Sequence, residues 1–328
     1  MITAAVIQIG SYLFDTHRTL DKLVEKVRQA AAEGAELIVL PEAILGGYPK
    51  GLSFGVHVGS RSEDGREMFR RYHESAIEIP GPETQTLCDL STQLNVHLVT
   101  GAVERRGATL YCVAVFISPG AGVTGVHRKL MPTAAERFLW GSGDGSTLHA
   151  RSMGNATVGA AICWENYMPL FRTAMYAKGV NVWCAPTVDD RESWQSTMRH
   201  IAVEGRCFVL SACQYVTRAD FPDDVTPVQG DEPDRVLIGG GSVIISPMGH
   251  ILAEASREKE QILIATLDLD DITRARFDLD VVGHYARPDI FALTVDERDH
   301  TRPSPHPATT VAAPAPHLVG ALNGAASH

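Results

Sequence analysis

The sequence predicts an α/β protein, and three observations predict it. Apolar strands alternate with amphipathic helices along most of the chain. That alternation is interrupted twice, each time by a hairpin. The two hairpin turns share wording, Ile117-Ser118-Pro119-Gly120 and Ile245-Ser246-Pro247-Met248-Gly249. Together these describe one pseudo-symmetric layered domain built from two similar halves, not two separate domains.

Residues 3–8 form a short apolar strand. Leu20, Leu23, Val24, Val27, Ala30 and Ala31 then recur at helical spacing, with Asp21, Lys22, Lys26 and Arg28 on the other side. Gly34 stops that helix. Leu37-Ile38-Val39-Leu40 is a fully apolar strand, and the β-α-β unit implies a right-handed crossover onto a helix-covered sheet. The strand ends at Pro41-Glu42. A carboxylate there is either a helix-capping acid or a functional group at the carboxyl edge of the sheet. Gly46-Gly47-Tyr48-Pro49-Lys50-Gly51 is too rich in glycine and proline for regular structure, and 60–75 reads as a charged surface helix.

A helix at 85–90 leads to a strand at 97–103, after which 110–117 and 123–126 pair as the first hairpin. It delivers His127-Arg128-Lys129-Leu130-Met131-Pro132. A basic triplet is ordinarily a solvated face. This one closes a strand before a proline, so at least one of the three is expected to point inward. Residues 133–144, which contain Glu136, read as an irregular loop with one helical turn.

Val158-Gly159-Ala160-Ala161-Ile162 reads as a strand buried on both faces. It stops at Cys163-Trp164-Glu165-Asn166, and Pro169 opens a helix over 168–178 at a tolerated first-turn position. Most cysteines in soluble chains are simple core packing. The break in polarity directly behind Cys163 points instead to a nucleophile at a strand-to-helix turn. There the helix dipole and unpaired N–H groups favour a thiolate and can receive a developing anion. A strand at 180–185, a helix at 191–205, a strand at 207–212, a hairpin over 242–254 and a strand at 262–267 complete the second half.

Composition narrows the setting. The 328 residues are 45% hydrophobic and 21% charged, ordinary for a globular chain long enough to bury a large core. A net charge of −10 argues against nucleic acid or anionic lipid as the main partner. The six cysteines are scattered without a C-x-x-C pair, which points to reduced thiols in a cytoplasmic protein and to no disulfide frame or metal site. The first residues lack the basic start and the length of a signal peptide, and no apolar run is long enough to span a membrane. Residues 301–328 hold five prolines, no acid and a single Arg302, a composition expected to be disordered.

Glu42, Lys129 and Cys163 each follow a strand, and in doubly wound sheets such ends converge on one crevice. A carboxylate can accept a thiol proton, and an ammonium can stabilise charge on the attacked atom. Their separation in sequence proves neither.

At these residues the chain resembles the nitrilase superfamily, in its true nitrilase branch. The resemblance is carried by Leu40-Pro41-Glu42-Ala43, His127-Arg128-Lys129-Leu130-Met131-Pro132-Thr133 through Glu136-Arg137, and Ala161-Ile162-Cys163-Trp164-Glu165-Asn166-Tyr167-Met168-Pro169. Gly46-Gly47-Tyr48-Pro49-Lys50 and Gly283-His284-Tyr285-Ala286-Arg287-Pro288-Asp289 match further signatures. The resemblance spans a domain at 1–295 and leaves the tail outside it. It implies an α-β-β-α sandwich, with subunits pairing so that two sheets make a four-layer core. It implies Glu42 as general base, Lys129 as catalytic lysine, Cys163 as nucleophile, and Glu136 as a second glutamate that positions the lysine and can share in proton handling. No metal or organic cofactor is implied. The reaction would take a small nitrile and water through a thioimidate and a thioester to a carboxylic acid and ammonia. The backbone N–H of Trp164 would serve as oxyanion donor. Tyr48 would line the pocket, and the Trp164 side chain would either line it or simply pack. His127 is expected to be structural.

The resemblance also implies a homo-oligomer, a dimer extending into spirals or filaments, with 48–75 and 218–236 as candidate interface segments. A cyanide-hydrolysing enzyme shares these motifs, and an aliphatic amidase is a more distant alternative. Two readings of other classes stand beside them: a filament-forming structural protein with an idle pocket, and a papain-like Cys–His hydrolase. The presence of Glu42, Lys129, Glu136 and Cys163 together argues against an idle pocket. Nothing in order or spacing marks a histidine as the partner of Cys163.

Overall fold

The computed structural model describes residues 1–300; the expected disordered tail, 301–328, lies outside the described residues. The first half runs β1 (Ile2–Gln8), α1 (Thr16–Ala32), β2 (Leu37–Val39), a small ribbon of β3 (Val56–His57) and β4 (Ser60–Arg61), then α2 (Glu63–Ser75) and α3 (Pro82–Leu94). It closes with β5 (His97–Arg106), β6 (Thr109–Ser118) and β7 (Gly122–Arg128). The second half runs β8 (Ala150–Met153), β9 (Ala156–Ala160), α4 (Pro169–Ala177), β10 (Val182–Thr187), α5 (Glu192–Gly205) and β11 (Phe208–Cys213). A ribbon of β12 (Tyr215–Thr217) and β13 (Val236–Gly239) follows, then β14 (Val243–Ile245), β15 (Ile251–Glu254), β16 (Gln261–Leu267) and α6 (Asp270–Ala275).

Two six-stranded sheets result, in the orders β16-β1-β2-β5-β6-β7 and β15-β14-β11-β10-β9-β8. In each, three parallel strands carry an antiparallel hairpin on one side and one antiparallel strand on the other. The halves therefore correspond strand for strand: β1, β2 and β5 with β9, β10 and β11, and the hairpin β6-β7 with β14-β15.

Burial follows from the period-two alternation of each strand. Leu37 and Val39 face inward between the sheets, where they join Val158, Val182, Cys184 and Leu210 of the other sheet in one core. Ile38 and Leu40 face outward against Leu23, Val27, Leu87 and Leu90 of α1 and α3. On the far side Met175, Trp194, Met198 and Ile201 of α4 and α5 cover Trp183 and Val209. Helices thus lie on the outer face of each sheet, and strands buried on both faces need continuous apolar runs.

The α-β-β-α sandwich is complete within one chain. Pairing of subunits is not needed to bring the two sheets together, a correction to the layering implied by resemblance. The crevice also differs from that of a single doubly wound sheet, because the strand ends that meet come from two opposed sheets. Two further differences are local. Residues 60–61 belong to the β3-β4 ribbon and only 63–75 are helical, with Tyr72 buried on the inner side of α2. Strand β8, four residues long and mostly not buried, has no apolar signal to announce it.

Candidate active site

Glu42 lies three residues beyond β2, in a turn that passes through a left-handed Ala43 at φ 49°. The turn rests against β5. Gly101 donates its N–H to Pro41 O at 3.1 Å, and a Cβ there would lie 2.2 Å from that oxygen and 2.7 Å from Glu42 Cα. From the other sheet Gln214 Nε2 donates to Glu42 O at 2.7 Å. The Glu42 carboxylate is wholly buried and accepts the Lys129 ammonium at 2.7 Å on Oε1, so it caps no helix. The thiol of Cys112 approaches the same oxygen at 3.6 Å. Oε2 has no hydrogen-bond partner among the described residues.

Lys129 follows β7 and is fully buried, as one member of the basic triplet was expected to be. Its Nζ also donates to Glu136 Oε2 at 2.8 Å. Glu136 stands in a 3₁₀ turn (Ala134–Phe138) whose Thr133 N–H donates to the same oxygen, while Tyr48 Oη donates to Oε1 at 2.7 Å. One ammonium thus sits between two carboxylates. Burial by itself would lower the Lys129 pKa, but Glu42 and its other anionic neighbours outweigh it and hold the group well above its ordinary value. Burial raises the Glu42 carboxyl, with Lys129 opposing the shift and Glu136 adding to it.

Cys163 lies three residues beyond β9 of the second sheet and begins a 3₁₀ turn (Cys163–Tyr167), with φ 50°, a left-handed conformation that costs a non-glycine residue energy. Its neighbours hold it there. Asn166 Nδ2 donates to Ala161 O at 2.9 Å and to Cys163 O at 2.8 Å, and its Oδ1 accepts the Trp183 indole at 2.8 Å. Glu165 turns back to accept Ile162 N–H at 2.7 Å and Leu130 N–H at 2.6 Å. The same carboxylate therefore ties the turn carrying Cys163 to the strand end carrying Lys129.

The thiol is buried and accepts a hydrogen bond from Thr187 Oγ1 at 3.3 Å. Burial first, and then the Glu42 carboxylate, push its pKa well up, against the opposing pull of Lys129 and Thr187. The sequence alone favoured a thiolate stabilised by a helix N-terminus. In the structure α4 starts at Pro169, beyond the 3₁₀ turn, and burial holds the resting sulfur as a thiol.

His127 is buried with its ring nitrogens on Thr147 O at 3.1 Å and on the Glu165 carboxylate at 3.0 Å. Among the described residues no histidine hydrogen-bonds Cys163, which removes the basis for a papain-like pairing. Trp164 is 43% exposed; its indole donates to Asp189 Oδ2 at 2.9 Å, and Arg191 lies 5.0 Å over its ring. Trp164, Tyr48, Lys50, Glu136 and Cys163 line one cleft of about 180 Å³. Tyr48 and Glu136 also border a neighbouring cavity of about 510 Å³, walled by Leu52, Leu139, Trp140 and Val228. Four residues of interest were thus brought together from both sheets, and Thr187 and Cys112 joined them unannounced. Cys112 lies inside an apolar run, and Thr187 stops two residues short of the charged run that begins at Asp189, so neither is itself the residue at the break in polarity that picked out the others.

A buried thiol beside a carboxylate and an ammonium, open to a cleft, is the equipment of covalent nucleophilic hydrolysis. Residues 3–277 match the carbon-nitrogen hydrolase family, and the chain belongs to it. It is 54% identical over 294 residues to an "Aliphatic nitrilase" of Sinorhizobium fredii (strain HH103), over 90% of this chain and 95% of that protein. It is 52% identical over 304 residues to "Bifunctional nitrilase/nitrile hydratase NIT4A" of Lupinus angustifolius, covering 91% of this chain and 86% of the relative. Crystalline Nit3 of Saccharomyces cerevisiae has the same fold, with a TM-score of 0.67 at 22% identity over 87% of this chain and 96% of that one. Among the described residues no helix is long and apolar enough to cross a membrane, and no cluster of three or more His, Cys, Asp or Glu could hold a metal ion.

Proposed function

We propose that the protein hydrolyses organic nitriles to carboxylic acids and ammonia, with Cys163 as nucleophile, Glu42 as general base, and Lys129 as the cation that stabilises developing charge. Relatives named as nitrilases at 54% and 52% identity support the reaction class. The observation that carries the assignment of roles is the charge cluster itself. Lys129 lies 2.7 Å from Glu42 and 2.8 Å from Glu136, and the Glu42 carboxylate, whose Oε2 has no hydrogen-bond partner among the described residues, is near enough to the buried thiol to act on its charge and serve as proton acceptor.

In this reading Glu42 takes the Cys163 proton as sulfur adds to the nitrile carbon, then passes it to the nitrile nitrogen, giving a thioimidate and restoring the carboxylate. Water adds to it, ammonia departs, and a second water releases the acid from the thioester. Trp164 N–H, in the first turn directly after the nucleophile and without an intrahelical partner, is the oxyanion donor. Glu136 holds Lys129 in place and is itself held by Tyr48. The apolar cavity beyond Tyr48 takes the carbon skeleton of the nitrile. Its volume of about 510 Å³ is far more than cyanide needs, which supports an organic substrate.

Reduced cysteines support a cytoplasmic setting, since all six are free. Exposed Phe277, Tyr285, Ile290 and Phe291 support association into a homo-oligomer. The catalytic domain extends over 1–295 in this proposal, and the tail supplies no group to the chemistry.

The test is ammonia and acid release from phenylacetonitrile, benzonitrile, 3-phenylpropionitrile, a dinitrile, cyanide and an aliphatic amide. Turnover of the organic nitriles, abolished in a folded Cys163→Ala variant, is the expected result. Turnover of cyanide or of the amide alone would replace the proposal with that activity.

A further inference from the structure

One buried polar side chain touches the nucleophile without a role in the reading above. Thr187 ends β10 and is wholly buried, with its hydroxyl oxygen 3.3 Å from Cys163 Sγ. The same oxygen accepts the N–H of Asp189 at 2.9 Å. A hydroxyl carries a single proton. With the Asp189 N–H occupying one lone pair, that proton is the hydrogen available between oxygen and sulfur once the sulfur is charged. The contact is then a neutral donor to a buried anion, the arrangement in which one hydrogen bond matters most.

The place of Thr187 in the fold is a second, independent observation. Leu37 of β2 and Val182 of β10 are each the first residue of their strand in register with both neighbours. Five residues beyond Leu37 stands Glu42, and five beyond Val182 stands Thr187. The pseudo-two-fold relation thus brings two corresponding positions, one from each sheet, to bear on the same thiol.

We propose that Thr187 is a catalytic hydrogen-bond donor to the Cys163 sulfur, stabilising the thiolate when it attacks and again when it departs. The proposal rests on the reading of Cys163 as the nucleophile of a nitrile hydrolase. It has a consequence for the products. Addition of water to the thioimidate gives a carbon bearing one oxygen, one nitrogen, the sulfur and the substrate chain. If the C–N bond breaks, nitrogen takes the bonding pair and the hydroxyl proton and leaves as ammonia, and a thioester remains. If the C–S bond breaks, sulfur takes the pair as thiolate, the hydroxyl proton passes to the Glu42 carboxylate, and the free product is the amide. A donor on the sulfur makes it the better leaving group, so Thr187 weights the second exit and sets how much amide escapes beside acid.

The experiment compares wild type with Thr187→Val, Thr187→Ser and Cys163→Ala as full chains. Cys163 labelling by iodoacetamide is followed by mass spectrometry across pH, and acid and amide from phenylacetonitrile are separated by chromatography. The Thr187→Val variant is expected to label about tenfold more slowly at each pH, its curve displaced upward by about one unit. Its amide share is expected to fall several-fold, and Thr187→Ser to restore both. Thr187→Ala makes the same comparison should the valine variant fail to fold. Labelling of the folded variants at the wild-type rate, or an amide share that is unchanged or higher, overturns the proposal. Continued nitrile turnover by Cys163→Ala would instead bring down the reading on which it rests.

Discussion

The two sheets match strand for strand, yet they bring opposite kinds of chemistry to the point where they meet. The first supplies charge: Glu42 and Lys129 on its own strand ends and Glu136 in the turn that follows. These groups are buried and mutually paired before any substrate arrives. The second supplies a neutral thiol and a neutral hydroxyl; left-handed backbone is common to both, at Ala43 and Ala134 beside the charged groups and at Cys163 itself. The difference has a physical reason. Buried charge is tolerable only when paired within a few ångströms, so Glu42, Lys129 and Glu136 cluster on one side. The proposed nucleophile must be reachable, and a tight turn aims it at the cleft from the other. Glu165 and Gln214 tie the two sides together, the first through Ile162 and Leu130, the second through Glu42 O.

The sharpest way to break that comparison is to remove the cation. Lys129→Met keeps the length of the side chain but leaves two buried carboxylates without their partner. The expected loss is about 3–5 kcal/mol of unfolding free energy, together with all turnover. Burial raises the folded pKa of Glu42 above its ordinary 4.5, and removal of Lys129 takes away the influence that opposes this. For a carboxyl raised in the folded state, the associated stability is present below the unfolded pKa and lost as pH rises through the folded one. The deficit of the variant should therefore shrink as pH falls toward 4.5 and widen toward neutrality. Urea unfolding at several pH values checks both, and a deficit below about 1 kcal/mol at neutral pH would mean the cluster is not interdependent.

The next test addresses the tie between the halves. Glu165→Gln preserves shape but exchanges one acceptor oxygen for an NH₂ group, which must face the N–H of either Ile162 or Leu130. One buried donor is then unsatisfied, for an expected cost of about 1–3 kcal/mol. If the tie sets the position of Cys163 relative to Lys129, kcat falls by more than KM changes. A stability loss with kcat intact would reduce Glu165 to a structural role.

How much of this could be read from the chain depends on the kind of signal each residue gives. Glu42, Lys129 and Cys163 each interrupt or close an apolar strand, so each stood out before any fold was known. Which of them work together did not follow from spacing, and that grouping rested on motif resemblance. The alternative of Glu42 as a helix cap fell only to its burial and its 2.7 Å contact with Lys129. Thr187 gave little sign, because in Ala185-Pro186-Thr187-Val188 it sits between apolar neighbours, and the charged run starts only at Asp189. Its contact with sulfur exists only because β9 and β10 are neighbours, a non-local fact. The expectation of a thiolate failed for a related reason. A helix start is visible in sequence, whereas the degree of burial and the nearness of Glu42 are not.

Trp164 offers the smallest effect, on the second half alone. Its ring is 43% exposed, and its one side-chain hydrogen bond goes to Asp189, which Arg191 Nε also contacts at 2.7 Å. Trp164→Phe therefore leaves Asp189 with a partner and empties little buried space, so stability should change by less than about 1 kcal/mol. The side chain does form part of the cleft wall beside Cys163. If it serves as that wall, the variant shifts the ratio of kcat/KM between 3-phenylpropionitrile and benzonitrile by a few-fold, while the charged half, and with it the pH dependence of stability, is untouched. An unchanged ratio would mean that the indole only packs and that selection among nitriles lies with the apolar cavity beyond Tyr48.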